Sequence, residues 1–237
     1  KALDFIGFES MSKKLYENFL RKTQEKNGMW EQRFYTDGRL APCWGYQIDE
    51  TATVVYGAYR HFLVMARKTG KKDTKFLKDN LKMLEKAIKF LEKYMDFILG
   101  KEETEDKVRM ELEKDYNYKE RDEIYKHPSY DLWENTEGIH LYSLSAIYSA
   151  FDSMIKTYDE VYDLFAKNRL KQDDILKCKK KLEEYKRETK KYILDNLVDK
   201  HMNVLLRNTT DRLVDISVIA GVFPFRVFDL NEKVVQN

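Results

Sequence analysis

Two stretches of this chain, Thr51 to Ala66 and Ile139 to Phe151, are almost free of charge, and each lies between stretches crowded with charge. The first, TATVVYGAYRHFLVMA, carries one Arg and one His; the second, IHLYSLSAIYSAF, carries no Asp, Glu, Lys or Arg. Around them lie Glu9 to Lys26, the segment from Leu77, and Asp173 to Leu197, all rich in Lys and Glu. In the Leu77 segment Leu77, Leu81, Leu84, Ile88, Leu91, Met95 and Ile98 recur at helical spacing, which lines them along one face, and Gly100 is placed to cap the C-terminus. A helix with one dry face lies at a surface, whereas a helix dry all round is buried. The order wet, dry, wet, dry, wet, followed by a drier piece at Arg212 to Gly221, predicts outer and inner helices in alternation. With 3 prolines and 9 glycines in 237 residues, the chain lacks the turns that a sandwich or barrel needs about every 8–12 residues. The expected class is all-α.

A toroid of helical hairpins requires this alternation, because each inner helix touches its neighbours and its outer partner; a linear stack of helical repeats would show it too. No linker divides the chain, so residues 1–237 are expected to form a single helical domain, with a charged insert at about 101–126. Lys plus Arg (43) nearly balances Asp plus Glu (41), and a net charge of +2 offers no field that would gather nucleic acid or an anionic membrane. Cys43 and Cys178 are far apart, no signal peptide opens the sequence, and no apolar run nears the ~18 residues of a membrane span. A reduced, cytoplasmic location is expected. The first residue is Lys1 rather than Met, which raises the expectation of a piece of a longer chain.

Chemistry concentrates in the loops before the dry segments. GMWEQRFYTDGRLAPCWGYQIDETA, Gly28 to Ala52, and HPSYDLWENTEG, His127 to Gly138, combine aromatic residues with acids, amides and Arg. Sugar rings bind where aromatic faces cover their C–H surfaces and charged or amide groups hold their hydroxyls. Trp30, Trp44, Tyr46, Tyr130 and Trp133, beside Arg33, Gln47, Asp49, Asp131 and Glu134, suit that task. The plainer alternatives are that a Trp beside an acid covers the core, and that Asp49 or Thr136 merely caps the following helix. His61, His127, His140 and His201 lack the spacing of a metal pair, and no glycine-rich phosphate or dinucleotide loop is present, so neither metal nor cofactor is expected.

SYDLWENTEGIHLYS resembles the acid-bearing segment of the glucoamylase-like enzymes, glycoside hydrolase family fifteen. WEQRFYTDGRLAPCWGYQIDETA resembles an earlier segment of the same family, and DISVIAGVFPF, Asp215 to Phe225, a later one in which an Asp-containing helix runs into Pro-Phe. The resemblance implies a segment of an (α/α)6 toroid and an inverting hydrolase of α-linked glucosides, α-1,4-glucan or maltooligosaccharide ends, with no cofactor. It implies that Glu134 is the general acid. Asp131 and Trp44 would bind the glucose at and beside the cleavage point, Tyr130 would pack near it, Trp133 and Asp131 would hold and orient the loop, and Gln47 and Asp49 would support that wall. Asn135 stands where family members carry a second Glu, so contacts to the leaving sugar would differ. Neither the family's general base nor the Arg-Asp pair that grips the terminal glucose has a counterpart in these residues. A trehalose hydrolase and a non-catalytic carbohydrate-binding or regulatory module are the alternatives. The expected partners are an α-glucan substrate and the rest of a parent chain or a second copy.

Overall fold

A computed structural model of the chain describes residues 2–42, 45–101 and 121–236. The N-terminal helices α1 (Ala2–Phe5) and α2 (Glu9–Lys14) lead through a π-helical turn at Leu15–Phe19 into α3 (Leu20–Thr23). Four long helices follow: α4 (Asp49–Thr69), α5 (Thr74–Ile98), α6 (Leu141–Val161) and α7 (Arg169–Asn196). A short α8 (Lys233–Gln236) lies near the C-terminal end. Two antiparallel hairpins complete the elements, β1 (Ser129–Tyr130) with β2 (Glu137–Gly138) and β3 (Val198–Asp199) with β4 (Val204–Leu205). The fold is all-α.

The dry segments are the inner helices. In α6 every side chain from Ser143 to Ile147 is buried, and Ser143, Ser145, Ala146, Ser149 and Ala150 leave room for α4 to pack along it. The wet segments lie outside. On α7 the buried positions are Ile175, Leu182, Tyr185, Thr189 and Ile193, a single stripe set against α6, with Phe151 and Tyr185 stacked at 5.5 Å between ring centres. Helix α5 turns its Leu77-to-Met95 face onto α4 and α6. Asp73 caps its start by accepting the Phe76 amide at 3.0 Å, and Lys13 reaches the same carboxylate at 2.7 Å. At the other end Gly100, with φ 67°, allows the Gly100 amide to reach the Phe97 carbonyl and the Lys101 amide the Asp96 carbonyl, which closes the helix. The N-terminal segment is tied to α4 by a wholly buried pair, Asp4 and His61, at 2.7 Å.

Two expectations are corrected. Arg212 to Gly221 is no inner helix: residues 212–215 form no regular element, and Asp215 caps a single 3-10 helix at Ile216–Gly221 by accepting the Ser217 amide at 2.7 Å. Val214, Ile216, Val218 and Ile219 are β-branched and stiff in helical geometry, and within that turn Ser217, Ala220 and Gly221 alone are buried, so no dry face stabilises a longer helix. The helix read through Lys26 stops at Thr23, where Gln24 turns extended. Of the charged insert, residues 102–120 lie outside the described residues; the 3-10 helix at Arg121–Lys126 buries Ile124 and Tyr125 against the core. Among the described residues no helix is long and apolar enough to cross a membrane.

Candidate functional site

The hairpin β1–β2 and the start of α4 form one structure. Tyr130 donates its amide to the Tyr46 carbonyl at 2.8 Å, and the Ile48 amide donates to the Ser129 hydroxyl at 3.2 Å, so residues 45–48 run beside β1. Gly45 is required by close approach: a Cβ there would lie 2.6 Å from the Tyr130 ring. His140 anchors the hairpin from below, its Nε2 donating to the Ser129 carbonyl at 3.0 Å, and burial lowers its pKa, so it stays neutral in that role.

Between the two strands lies the turn that carries the acids. Asp131 is buried, and its Oδ1 accepts the amides of Asn135 at 2.8 Å and Thr136 at 3.1 Å, while Gln47 donates its side-chain amide to the Asp131 carbonyl at 2.6 Å. Its other carboxylate oxygen, Oδ2, is buried with no hydrogen-bond partner among the described residues. Such an oxygen is costly unless a ligand hydroxyl meets it. Glu134 adopts φ 58°, and its amide donates to the Asp131 carbonyl at 2.9 Å, so the turn is tight. Arg33, from the earlier loop, binds both carboxylate oxygens of Glu134. Trp133 is 49% exposed beside it.

Two further carboxyls stand at the first turn of α4. Asp49 is buried and accepts the Ser143 hydroxyl at 3.0 Å; burial pushes its pKa up, with the charge of Asp131 adding to the effect against that hydrogen bond. Burial also pushes Glu50 well above the usual carboxylate range, helped by Asp49, Glu134 and Glu31, and its Oε2 is buried with no hydrogen-bond partner among the described residues. Tyr142 feels the same two charges on top of its burial, and its pKa is pushed up to about 12. The site is therefore a patch of crowded carboxyls with one guanidinium.

Most of the residues singled out in the sequence meet here: Gln47, Asp49, Tyr130, Asp131, Trp133, Glu134 and Asn135, with Arg33. Trp44 lies outside the described residues. Two aromatic candidates belong to the core instead. Trp30 is 2% exposed and donates Nε1–H to the Leu20 carbonyl at 2.9 Å, and Tyr46 is buried edge-on against Phe90. Asp49 does not cap its helix, since it is the first helical residue and its side chain is spent on Ser143. Glu50, Ser143 and Tyr142 were not singled out; the adjacent acids in QIDETA were the signal that could have found Glu50.

No family model matches the chain. Over 235 residues it is 24% identical to an uncharacterized glycosyl hydrolase of Methanocaldococcus jannaschii, which takes in 98% of this chain and 30% of that protein. A solved glycosidase structure superposes with a TM-score of 0.62 at 16% identity, over 99% of this chain and 55% of that one. The chain thus spans under a third of the first and little more than half of the second. Its all-α fold is shared with that solved structure over the superposed part.

Proposed function

We propose that these residues are the acid-bearing part of a glycosidase that cleaves α-linked glucosides at a chain end with inversion, Glu134 protonating the departing oxygen. The observation that carries this reading is Asp131 Oδ2, on the same turn as Glu134, buried and without a hydrogen-bond partner among the described residues, a natural acceptor for a sugar hydroxyl. The likeness to the archaeal glycosyl hydrolase and to the solved glycosidase supports it. Gln47 and Asn135 hold the Asp131 turn in shape, Tyr130 and Trp133 offer ring faces, and Asp49 braces the wall through Ser143. Trp44 would add the aromatic face beside the cleaved bond.

Inversion also needs a carboxylate base about 6.5–9.5 Å from the acid, with room for water. Glu50 is a poor base, because burial favours its protonated form. In this reading Glu50 is therefore not the base. In the full-length protein Glu134→Gln is expected to keep maltotriose binding and to lower glucose release by about 100-fold or more. Assaying maltotriose and trehalose side by side separates the two substrates. Unchanged turnover in the variant would remove Glu134 from the mechanism.

The second reading, a sugar-binding module without turnover, is favoured by Arg33, whose guanidinium occupies both carboxylate oxygens of Glu134. Binding of maltotriose with no glucose released by the full-length protein would decide for it.

A further inference from the structure

A cavity of about 230 Å³ lies further along the α4–α6 groove, away from the acids, roofed by the loop that follows Gly221. The aromatic ring of Phe225 lines it, packed edge-on against Tyr142 at 5.4 Å and Tyr56 at 5.5 Å. The cavity's walls are Tyr56, Tyr59 and Tyr148, with Ser149 and Ser153 on α6. Charge there is lopsided. Arg60, Arg226 and Lys156 line the space, and the one carboxylate, Asp152, is already bound by Lys156 at 2.5 Å and Lys186 at 2.8 Å.

The two guanidiniums are left over. Arg60 Nε is buried with no hydrogen-bond partner, and neither Arg60 nor Arg226 has an ion pair among the described residues. A buried guanidinium nitrogen without an acceptor is unfavourable and calls for a group that supplies one. The two side chains come from separate elements, Arg60 from α4 and Arg226 from the loop, yet both act on the Tyr56 hydroxyl through their charge. Two converging guanidiniums match an oxyanion that carries two charges and several acceptors, which describes a phosphate better than a carboxylate. The tyrosine faces and the serine hydroxyls suit a polyhydroxylated ring. A volume below the ~300 Å³ at which pockets for larger ligands begin limits the guest to one such ring with one substituent.

We propose that this cavity binds a sugar phosphate, the phosphate bridging Arg60 and Arg226 and the ring lying among Tyr56, Tyr59 and Tyr148. The site is distinct from the Glu134 turn and does not depend on the glycosidase reading. Titration calorimetry of the full-length protein with glucose 6-phosphate, glucose and inorganic phosphate tests it. Glucose 6-phosphate is expected to bind more tightly than either of the others. Arg60→Met and Arg226→Met are each expected to weaken it by about tenfold or more, the scale of a lost charge-assisted hydrogen bond, with maltotriose affinity unchanged. Arg226 is exposed, so its variant should fold with an unaltered melting temperature even if Arg60→Met does not. Absence of glucose 6-phosphate binding, affinity equal to that of inorganic phosphate, or binding that survives Arg226→Met would each overturn the proposal.

Discussion

At the scale of single residues, the candidate site is governed by how many carboxyls one patch can hold. Asp49 and Glu50 are forced towards the neutral form by burial, whereas Glu134 is paired with Arg33 and Asp131 accepts the amides of its own turn. The Arg33–Glu134 pair is too exposed, at 43% and 28%, to contribute much stability, so its value is in aiming the carboxylate. Glu50 makes a testable case. Its folded-state pKa lies above the unfolded one, so the folded protein holds the extra proton; the stability it contributes is complete below the ordinary carboxylate range and is lost as pH rises towards the raised value. Glu50→Gln removes the charge while keeping the shape. Thermal melts are expected to show the variant above the parent at about pH 8, by about 2–4 °C for each ~1 kcal/mol recovered, with the gap closing towards about pH 4. A gap that widens on acidification would contradict the sign. The acids of this patch were legible as sequence, but their protonation was not, because it depends on which of them share a buried volume.

At the scale of elements, the helices are specified mainly by their own residues. Periodicity marks the dry faces of α5 and α7, and the ends of α5 have local causes in Asp73 and Gly100. Asp73→Ala is expected to destabilise by about 0.5–2 kcal/mol, the worth of an N-cap, seen as a lower denaturation midpoint at unchanged slope. Asp73→Asn, which keeps the acceptor for the Phe76 amide but loses the charge opposite Lys13, should recover most of that loss, since the Lys13 pair is 40% and 41% exposed. Equal losses in both variants would transfer the effect to the ion pair. The piece at Arg212 to Gly221 resisted the same reasoning because apolar content is not helical propensity: its β-branched residues lack a buried partner face, and the chain stays irregular up to Asp215.

At the scale of the whole molecule, the order of wet and dry segments becomes a layered arrangement, α4 and α6 within, α5 and α7 outside them. The seam between α6 and α7 depends on a few large side chains. Phe151 is fully buried and stacked on Tyr185, and Phe151→Ala is expected to cost about 3–5 kcal/mol, transfer plus cavity. Urea unfolding followed by circular dichroism measures it. A loss below about 1 kcal/mol would mean that α7 is not held by this contact.

What the sequence determined by itself is what short-range physics controls: helix against strand, which faces are dry, where α5 is capped, and which two loops gather acids and aromatic rings. Periodicity and steric preference act over a few residues, so they can be read without knowing the fold. Tertiary structure alone decided which of those rings face solvent and which acids meet. Trp30 and Trp133 look alike as loop tryptophans beside a Glu, yet one is sealed beneath Leu20 and the other is half exposed. Arg33 reaches Glu134 across 101 residues, Asp49 reaches Ser143 across 94, and Gln47 reaches Asp131 across 84. Those meetings follow from how α4 and α6 lie against each other and against the hairpin, a packing set by the summed contacts of all four long helices. No local pattern encodes such a sum, which is why the site's members were legible one by one and its geometry was not.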